Sequence, residues 1–219
     1  MRTETVNIYQ FSELSEKAKE NARDWFREGN LQDNYWSECV IEDATEIAKL
    51  FGLDIGTRPY DTVGGKKRYE PTVFWSGFSS QGDGASFTGT YRFKADAIEA
   101  VKAHAPQDET LHAIVADLMA AQSLCSGQLN FKITTSGRYC HEYSMDFEIL
   151  DFDENGEEIS NGGVTNVLEK EAAEALRAFA RWIYRQLENE YEYRQSAEAV
   201  DEDITANEYE FHEDGKRAV

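Results

Sequence analysis

The segment Ser79-Ser80-Gln81-Gly82-Asp83-Gly84-Ala85-Ser86 is the first whose residue types suggest chemistry, because closely spaced glycines expose backbone N–H groups that can cradle an anion. It has neither the Lys nor the Gly-x-x-x-x-Gly-Lys-Ser/Thr spacing of a P-loop. Two readings stay open: a turn between two strands, or a loop in which Gln81, Gly82, Asp83 and Gly84 form a site for a small ligand or a reaction. Asp151-Phe152-Asp153-Glu154-Asn155-Gly156 has the D-x-D-x-N-G opening of a calcium loop, whose alternating oxygens suit a hard cation. Its twelfth position is Gly162 rather than a bidentate Glu, so an acidic hairpin turn is expected, with a weak cation site as the alternative. The four histidines, His104, His112, His141 and His212, show no helical i, i+4 pairing, and neither a cofactor nor a metal is expected. His141 and Glu142, taken as neighbours on one strand, should point to opposite faces. Cys39, Cys125 and Cys140 contain no C-x-x-C pair and read as buried cytosolic thiols.

Charge is the sharper signal. Against 22 Lys+Arg stand 42 Asp+Glu, a formal net charge of −20 over 219 residues, which opposes direct binding to a phosphate backbone. Between Gln186 and Asp214, Arg194 is the single base among Glu188, Glu190, Glu192, Glu198, Asp201, Glu202, Asp203, Glu208, Glu210, Glu213 and Asp214. Glu38, Glu42 and Glu46 repeat every four residues, which on a helix stacks them ~6 Å apart along one face. Like charges at that spacing cost a helix ~0.2–0.5 kcal/mol per pair, so stability alone does not favour them. Carboxylates in such rows approximate the phosphates of a DNA strand. Simple solubility is one explanation. A face that seeks cations is the other, built from Glu38, Glu42, Glu46, Glu188, Glu190, Glu192, Asp201, Glu202 and Asp203, with Tyr191 and Tyr193 as anchors between the charges.

Positioning these residues requires elements that the hydrophobic pattern supplies. Val6 to Phe11 reads as a short strand. Ser15 caps a helix from Glu16 to about Glu28 with Ala18, Ala22, Trp25 and Phe26 inward. Asp33 or Asn34 caps a second, with Trp36, Val40, Ala44, Ile47 and Phe51 buried. Thr57 to Lys67, with Gly64-Gly65-Lys66-Lys67-Arg68 following, is the one basic patch and predicts an exposed loop or hairpin tip. Strands are expected at 73–78, 86–93, 129–135 and 139–150, the last alternating through Tyr139, His141, Tyr143, Met145, Phe147 and Ile149. A tight turn at Ser136-Gly137 should join the last two. Helices are expected at 94–104, 109–123 and 169–193, the last with Leu176, Phe179, Ile183, Leu187 and Tyr191 inward. Ser196 then caps a short acidic helix burying Ala197, Val200 and Ile204. The whole predicts a single α+β domain over 1–219, an antiparallel sheet packed by amphipathic helices, with an acidic C-terminal segment at 196–219.

Ile8-Tyr9-Gln10-Phe11-Ser12-Glu13-Leu14, Trp36 ahead of Glu42-Asp43-Ala44, Phe74-Trp75-Ser76-Gly77-Phe78-Ser79-Ser80-Gln81-Gly82-Asp83-Gly84-Ala85-Ser86-Phe87 and Trp182-Ile183-Tyr184-Arg185-Gln186 occur in that order. In this the chain resembles a family of bacteriophage and prophage proteins labelled antitoxin of a toxin–antitoxin stability system. The resemblance spans most of the chain, implies a phage setting, and lends no catalytic residue.

With no apolar run of ~18 residues and no signal-peptide pattern at the start, no membrane is expected and the location is the host cytoplasm. The expected function is that of a non-enzymatic acidic protein, monomer or homodimer, that occupies the nucleic-acid-binding surface of a basic host protein. Such a partner is a nuclease, a CRISPR or restriction-type defence complex, or a toxin. The contrasting class is an enzyme or small-ligand binder built around the Gly82-Asp83-Gly84 loop and the Tyr139–Tyr143 strand, which a concave apolar pocket beside Asp83 containing His141 would favour.

Overall fold

The computed structural model describes residues 6–30, 35–62, 64–124, 128–152, 158–159 and 166–218. In chain order the elements are β1 (Tyr9–Gln10), α1 (Glu16–Asn30), α2 (Tyr35–Leu50), β2 (Leu53–Ile55), β3 (Thr57–Asp61), β4 (Lys67–Pro71), β5 (Val73–Trp75), β6 (Ala85–Phe87) and β7 (Gly89–Arg92). There follow α3 (Ala97–His104), α4 (Glu109–Ser123), β8 (Asn130–Thr135), β9 (Met145–Ile149), β10 (Asp151–Phe152), β11 (Glu158–Ile159), α5 (Asn166–Gln195), α6 (Ala197–Ala206) and β12 (Glu210–Phe211). This is an α+β fold with antiparallel pairing throughout its sheets, packed by amphipathic helices. Its contacts group into two units, residues 39–187 and residues 1–38 with 188–219.

In the larger unit the main sheet runs β2-β7-β8-β9. Gly89 sits where a Cβ would lie 2.2 Å from the Asp54 carbonyl oxygen, so only glycine lets β7 approach β2. Three backbone hydrogen bonds link Gly56, Thr72 and Thr88 in a ring: Gly56 N–H to Thr88 O (2.8 Å), Thr72 N–H to Gly56 O (2.7 Å) and Thr88 N–H to Thr72 O (3.1 Å). At this junction the chain passes from β2 to β3, from β4 to β5 and from β6 to β7. The β3–β4 pair leaves it as a ribbon in which every β3 residue is exposed, so the basic segment forms a hairpin.

The face of α5 supplies the core. Leu176, Phe179, Ile183 and Leu187 are fully buried, as their 3- and 4-residue spacing requires. Phe179 meets Phe51 edge-on at 4.9 Å and Phe87 at 6.0 Å, and stacks on Trp182 at 5.5 Å. The Trp182 indole donates to Asp108 Oδ2 (2.8 Å), while Asp108 Oδ1 caps α4 by accepting from Leu111 N–H (2.8 Å). Arg177 reaches β9, its guanidinium 4.9 Å from the Phe147 ring.

The smaller unit joins segments from far apart in sequence. β1 pairs with β12, and Phe11, Leu14, Ala18, Ala22, Val200, Ile204 and Phe211 form one core. Ser15 Oγ accepts from Ala18 N–H (3.3 Å) and Ser196 Oγ from Ala199 N–H (3.2 Å), so both expected caps are present. On α6 the buried alanine is Ala199 and not Ala197, because Ala199 and Val200 together continue the face of Ile204. The caps expected at Asp33 or Asn34 lie outside the described residues, as do Cys125 and most of the calcium-like segment. On either side of that segment, Asp151 and Phe152 pair with Ile159 and Glu158.

Further expectations change. Residues 139–144 are not strand: β9 starts at Met145, opposite Thr135, and a 3-10 turn covers Glu142–Ser144. A nine-residue connection, 136–144, thus replaces the tight turn, because β8 ends at Thr135 and leaves 139–144 without a partner strand. Cys39 is exposed rather than buried, since it lies on the solvent side of α2 beside Glu38 and Asp43.

Candidate functional sites: an acidic helix face and a histidine cleft

Along α2, Glu38, Glu42, Asp43 and Glu46 are all exposed. Lys49 Nζ lies 2.6 Å from Glu46 Oε1 and neutralises that end. Glu38, Glu42 and Asp43 have no ion pair among the described residues. In the smaller unit the Trp36 ring sits 6.1 Å from that of Tyr191, which is half-buried, while Tyr193 is 55% exposed. Glu192, Glu202 and Asp203 are exposed, and Glu188 and Glu190 half-exposed.

Asp201 differs from its neighbours. Arg23 holds it with two parallel bonds, Nε to Oδ1 at 2.6 Å and Nη2 to Oδ2 at 2.7 Å. The same guanidinium donates to Glu20 (2.9 Å) and lies 5.7 Å from the Phe11 ring. Arg217, from the hairpin after β12, covers Trp25 at 5.0 Å and Tyr209 at 4.5 Å. Part of the acidic C-terminal charge is thus internal architecture, and part faces water.

The second arrangement lies in the larger unit. Asp83 does not project from its loop: its Oδ2 accepts from Ser80 N–H (2.6 Å) and Ser79 N–H (2.9 Å). The Ser80 amide, with help from Ser79 and the Ser76 hydroxyl, holds this carboxyl below the usual Asp range. The loop is further pinned by Tyr184, whose hydroxyl donates to Gly77 O (2.8 Å), and by Phe78, stacked on Trp75 and 5.4 Å from the Tyr184 ring. Asp83 is therefore the organiser of the turn, and the glycines beside it are the surface.

That surface meets the 136–144 connection. A Cβ on Gly84 would stand 3.1 Å from Cys140 O and 3.2 Å from His141 Cδ2. One on Gly82, whose φ is +109°, would stand 3.5 Å from the Tyr139 ring. Between them opens a cleft of about 400 Å³, walled by Gly82, Ser136, Arg138, Tyr139, His141 and Tyr143. His141 stacks on Tyr143 with centroids 5.4 Å apart, and its Nδ1 lies 3.0 Å from Glu142 Oε2. The strand-based expectation that these two point apart is corrected: with the 3-10 turn starting at Glu142, its carboxylate comes against the imidazole Nδ1. Glu142, 8% exposed, also meets Arg181 at 3.4 Å, and Arg181 pairs with Glu174 at 2.7 Å. Under Tyr143, Arg177 lies 5.6 Å from the ring and donates to Met145 O (3.3 Å).

A family model described as a domain of unknown function, DUF8835, matches residues 36–197. The chain belongs to this family. The matched stretch contains the α2 face, the Ser79–Gly84 loop and the cleft, and leaves out α1, α6 and β12. No curated protein and no solved structure matches the chain. No described helix is long and apolar enough to cross a membrane.

Proposed function

We infer that this is a non-enzymatic acidic binding protein, working in a phage-infected or prophage-bearing cell's cytoplasm, that inhibits a host nuclease, defence complex or toxin. It does so by docking carboxylates onto the basic surface where that partner binds nucleic acid. The single observation that supports this most is the stretch Glu38, Glu42 and Asp43, exposed on a well-formed helix with no counter-ion among the described residues. Rigid rows of unpaired charge lose little entropy on docking and accelerate encounter with an opposite surface. Tyr193 adds exposed aromatic area near Glu190 and Glu192 on α5.

The test is capture from a bacterial host lysate with the whole chain as bait, beside the double variant Glu38→Lys, Glu42→Lys. Recovery of a basic nucleic-acid-handling protein by the parent chain, and about tenfold or greater weakening by the variant, is expected. Both should be strongly reduced by salt. Equal capture by parent and variant would remove the basis of the reading.

A further inference from the structure

We propose that the cleft between the Ser79–Gly84 loop and the 136–144 connection is a binding site for a small planar aromatic anion. This goes beyond the docking reading and shares no residue with the α2 face.

The lining sets the ligand class. In a chain with a net charge of −20, the one fully charged residue that walls this cleft is Arg138, and no carboxylate lines it among the described residues. Arg138 is exposed and makes no ion pair there; its described contact is with the Tyr139 ring, 6.0 Å from the guanidinium. Three carboxylates bonded to or adjoining the lining residues have partners of their own. Glu142 lies against His141 and Arg181, Asp83 is closed on the Ser79 and Ser80 amides, and Asp146 accepts from Ser136 Oγ (2.7 Å). An anion entering here meets the Arg138 guanidinium, and no carboxylate lines the cleft among the described residues.

The walls supply flat apolar contact. Tyr139 is 64% and Tyr143 66% exposed, and both present ring area to solvent. Exposed rings lining a cleft suit a stacked planar ligand. The imidazole of His141 stacks on the Tyr143 ring, and its Nδ1 accepts from Tyr143 N–H (3.3 Å) and lies 3.0 Å from Glu142 Oε2, which leaves Nε2 as the ring nitrogen available to a ligand. Gly84 lets the loop close this near to His141, since any side chain there would press on Cys140 O. A volume of about 400 Å³ is on the scale of a nucleotide or an aromatic acid rather than a peptide.

Two sources share this chemistry, a nucleoside monophosphate and an aromatic carboxylate, and the experiment separates them. The full-length protein is titrated by calorimetry and by NMR of the His141 and Tyr139 ring signals. The probes are adenosine 5′-monophosphate, 4-hydroxybenzoate, and their uncharged counterparts adenosine and 4-hydroxybenzamide. Binding of one anion with shifts confined to these rings is expected, with the uncharged counterpart about tenfold or more weaker. Arg138→Ala should weaken the anion by a similar factor while leaving thermal stability alone, because the side chain is exposed. Tyr139→Ala should weaken the charged and uncharged forms alike. Failure of both anions to shift the rings, or equal binding by the parent and Arg138→Ala, would overturn the proposal. The Glu38→Lys, Glu42→Lys variant should bind the same anion unchanged, so the outcome here is independent of the docking reading.

Discussion

His141 Nδ1 lies 3.0 Å from Oε2 of Glu142, the residue that follows it, and through Glu142 the imidazole is tied to Arg181 on α5. The chain enters the 3-10 turn at Glu142, where consecutive side chains stand about 120° apart and not on opposite faces. In a strand they would be divided between two faces.

Glu142→Ala should therefore loosen the connection as well as remove a charge. Glu142 is 8% exposed, but its partners are half in water, so a loss of roughly 1–2 kcal/mol is expected rather than the full cost of breaking a buried pair. Urea unfolding measures it. Hydrogen exchange should show the loss of protection centred on the Ser144 amide, which donates to His141 O.

The Asp83 carboxyl is held below its ordinary value of 3.8 chiefly by the Ser80 amide, so its contribution follows the usual carboxylate sign. It is fully present above that ordinary value and is lost as pH falls through the lower, folded one. A carboxyl-detected NMR titration should find the Asp83 midpoint below those of exposed aspartates, with the Ser79 and Ser80 amide shifts moving together with it. Asp83→Asn should abolish that coupled movement. A midpoint at the ordinary value would mean the turn is held by something else.

Arg23 and Asp201 join α1 to α6 across 178 positions of sequence. The Arg23 side chain is 14% and that of Asp201 34% exposed, which puts the pair between surface and core. A double-mutant cycle with Arg23→Ala and Asp201→Ala should give a coupling of about 1–2 kcal/mol. Asp201 variants should thus lower the melting temperature, whereas Glu202→Ala should not.

Cys39 gives a native reporter on the acidic face. Being exposed between Glu38 and Asp43, it should react with a thiol reagent such as DTNB faster than the half-buried Cys140. A captured partner that covers this face should slow the Cys39 reaction and leave Cys140 untouched. Protection of Cys140 alone would place the partner elsewhere.

The helices were legible because Leu176, Phe179, Ile183 and Leu187, or Ala44, Ile47 and Phe51, carry a period that only a buried helical stripe explains. The start of β9 was not. Alternation continues back through Tyr143, His141 and Tyr139, but period alone does not say whether a neighbouring strand is there to pair with, and β8 has already ended. The cleft depended on the same missing fact. Gly82, Asp83 and Gly84 could be flagged from their types, and His141 as a partner for them, yet the division of labour could not. Asp83 Oδ2 is taken by the backbone of its own loop, while Arg138, not singled out for any role by sequence, walls the space beside the Tyr139–Tyr143 stretch. Charge was misleading in one place for a similar reason: the run containing Asp201 reads as surface until Arg23 is brought beside it.

The pairing of Tyr9 and Gln10 with Phe211 and Glu210 also constrains the order of events on the ribosome. At ~5–20 residues per second, roughly 10–40 s separate synthesis of the two strands. During that interval α1 has been made, but its apolar stripe waits for Val200, Ile204 and Phe211. The nascent chain therefore carries Phe11, Trp25 and Phe26 uncovered for most of its translation, and this end is where a chaperone would be needed.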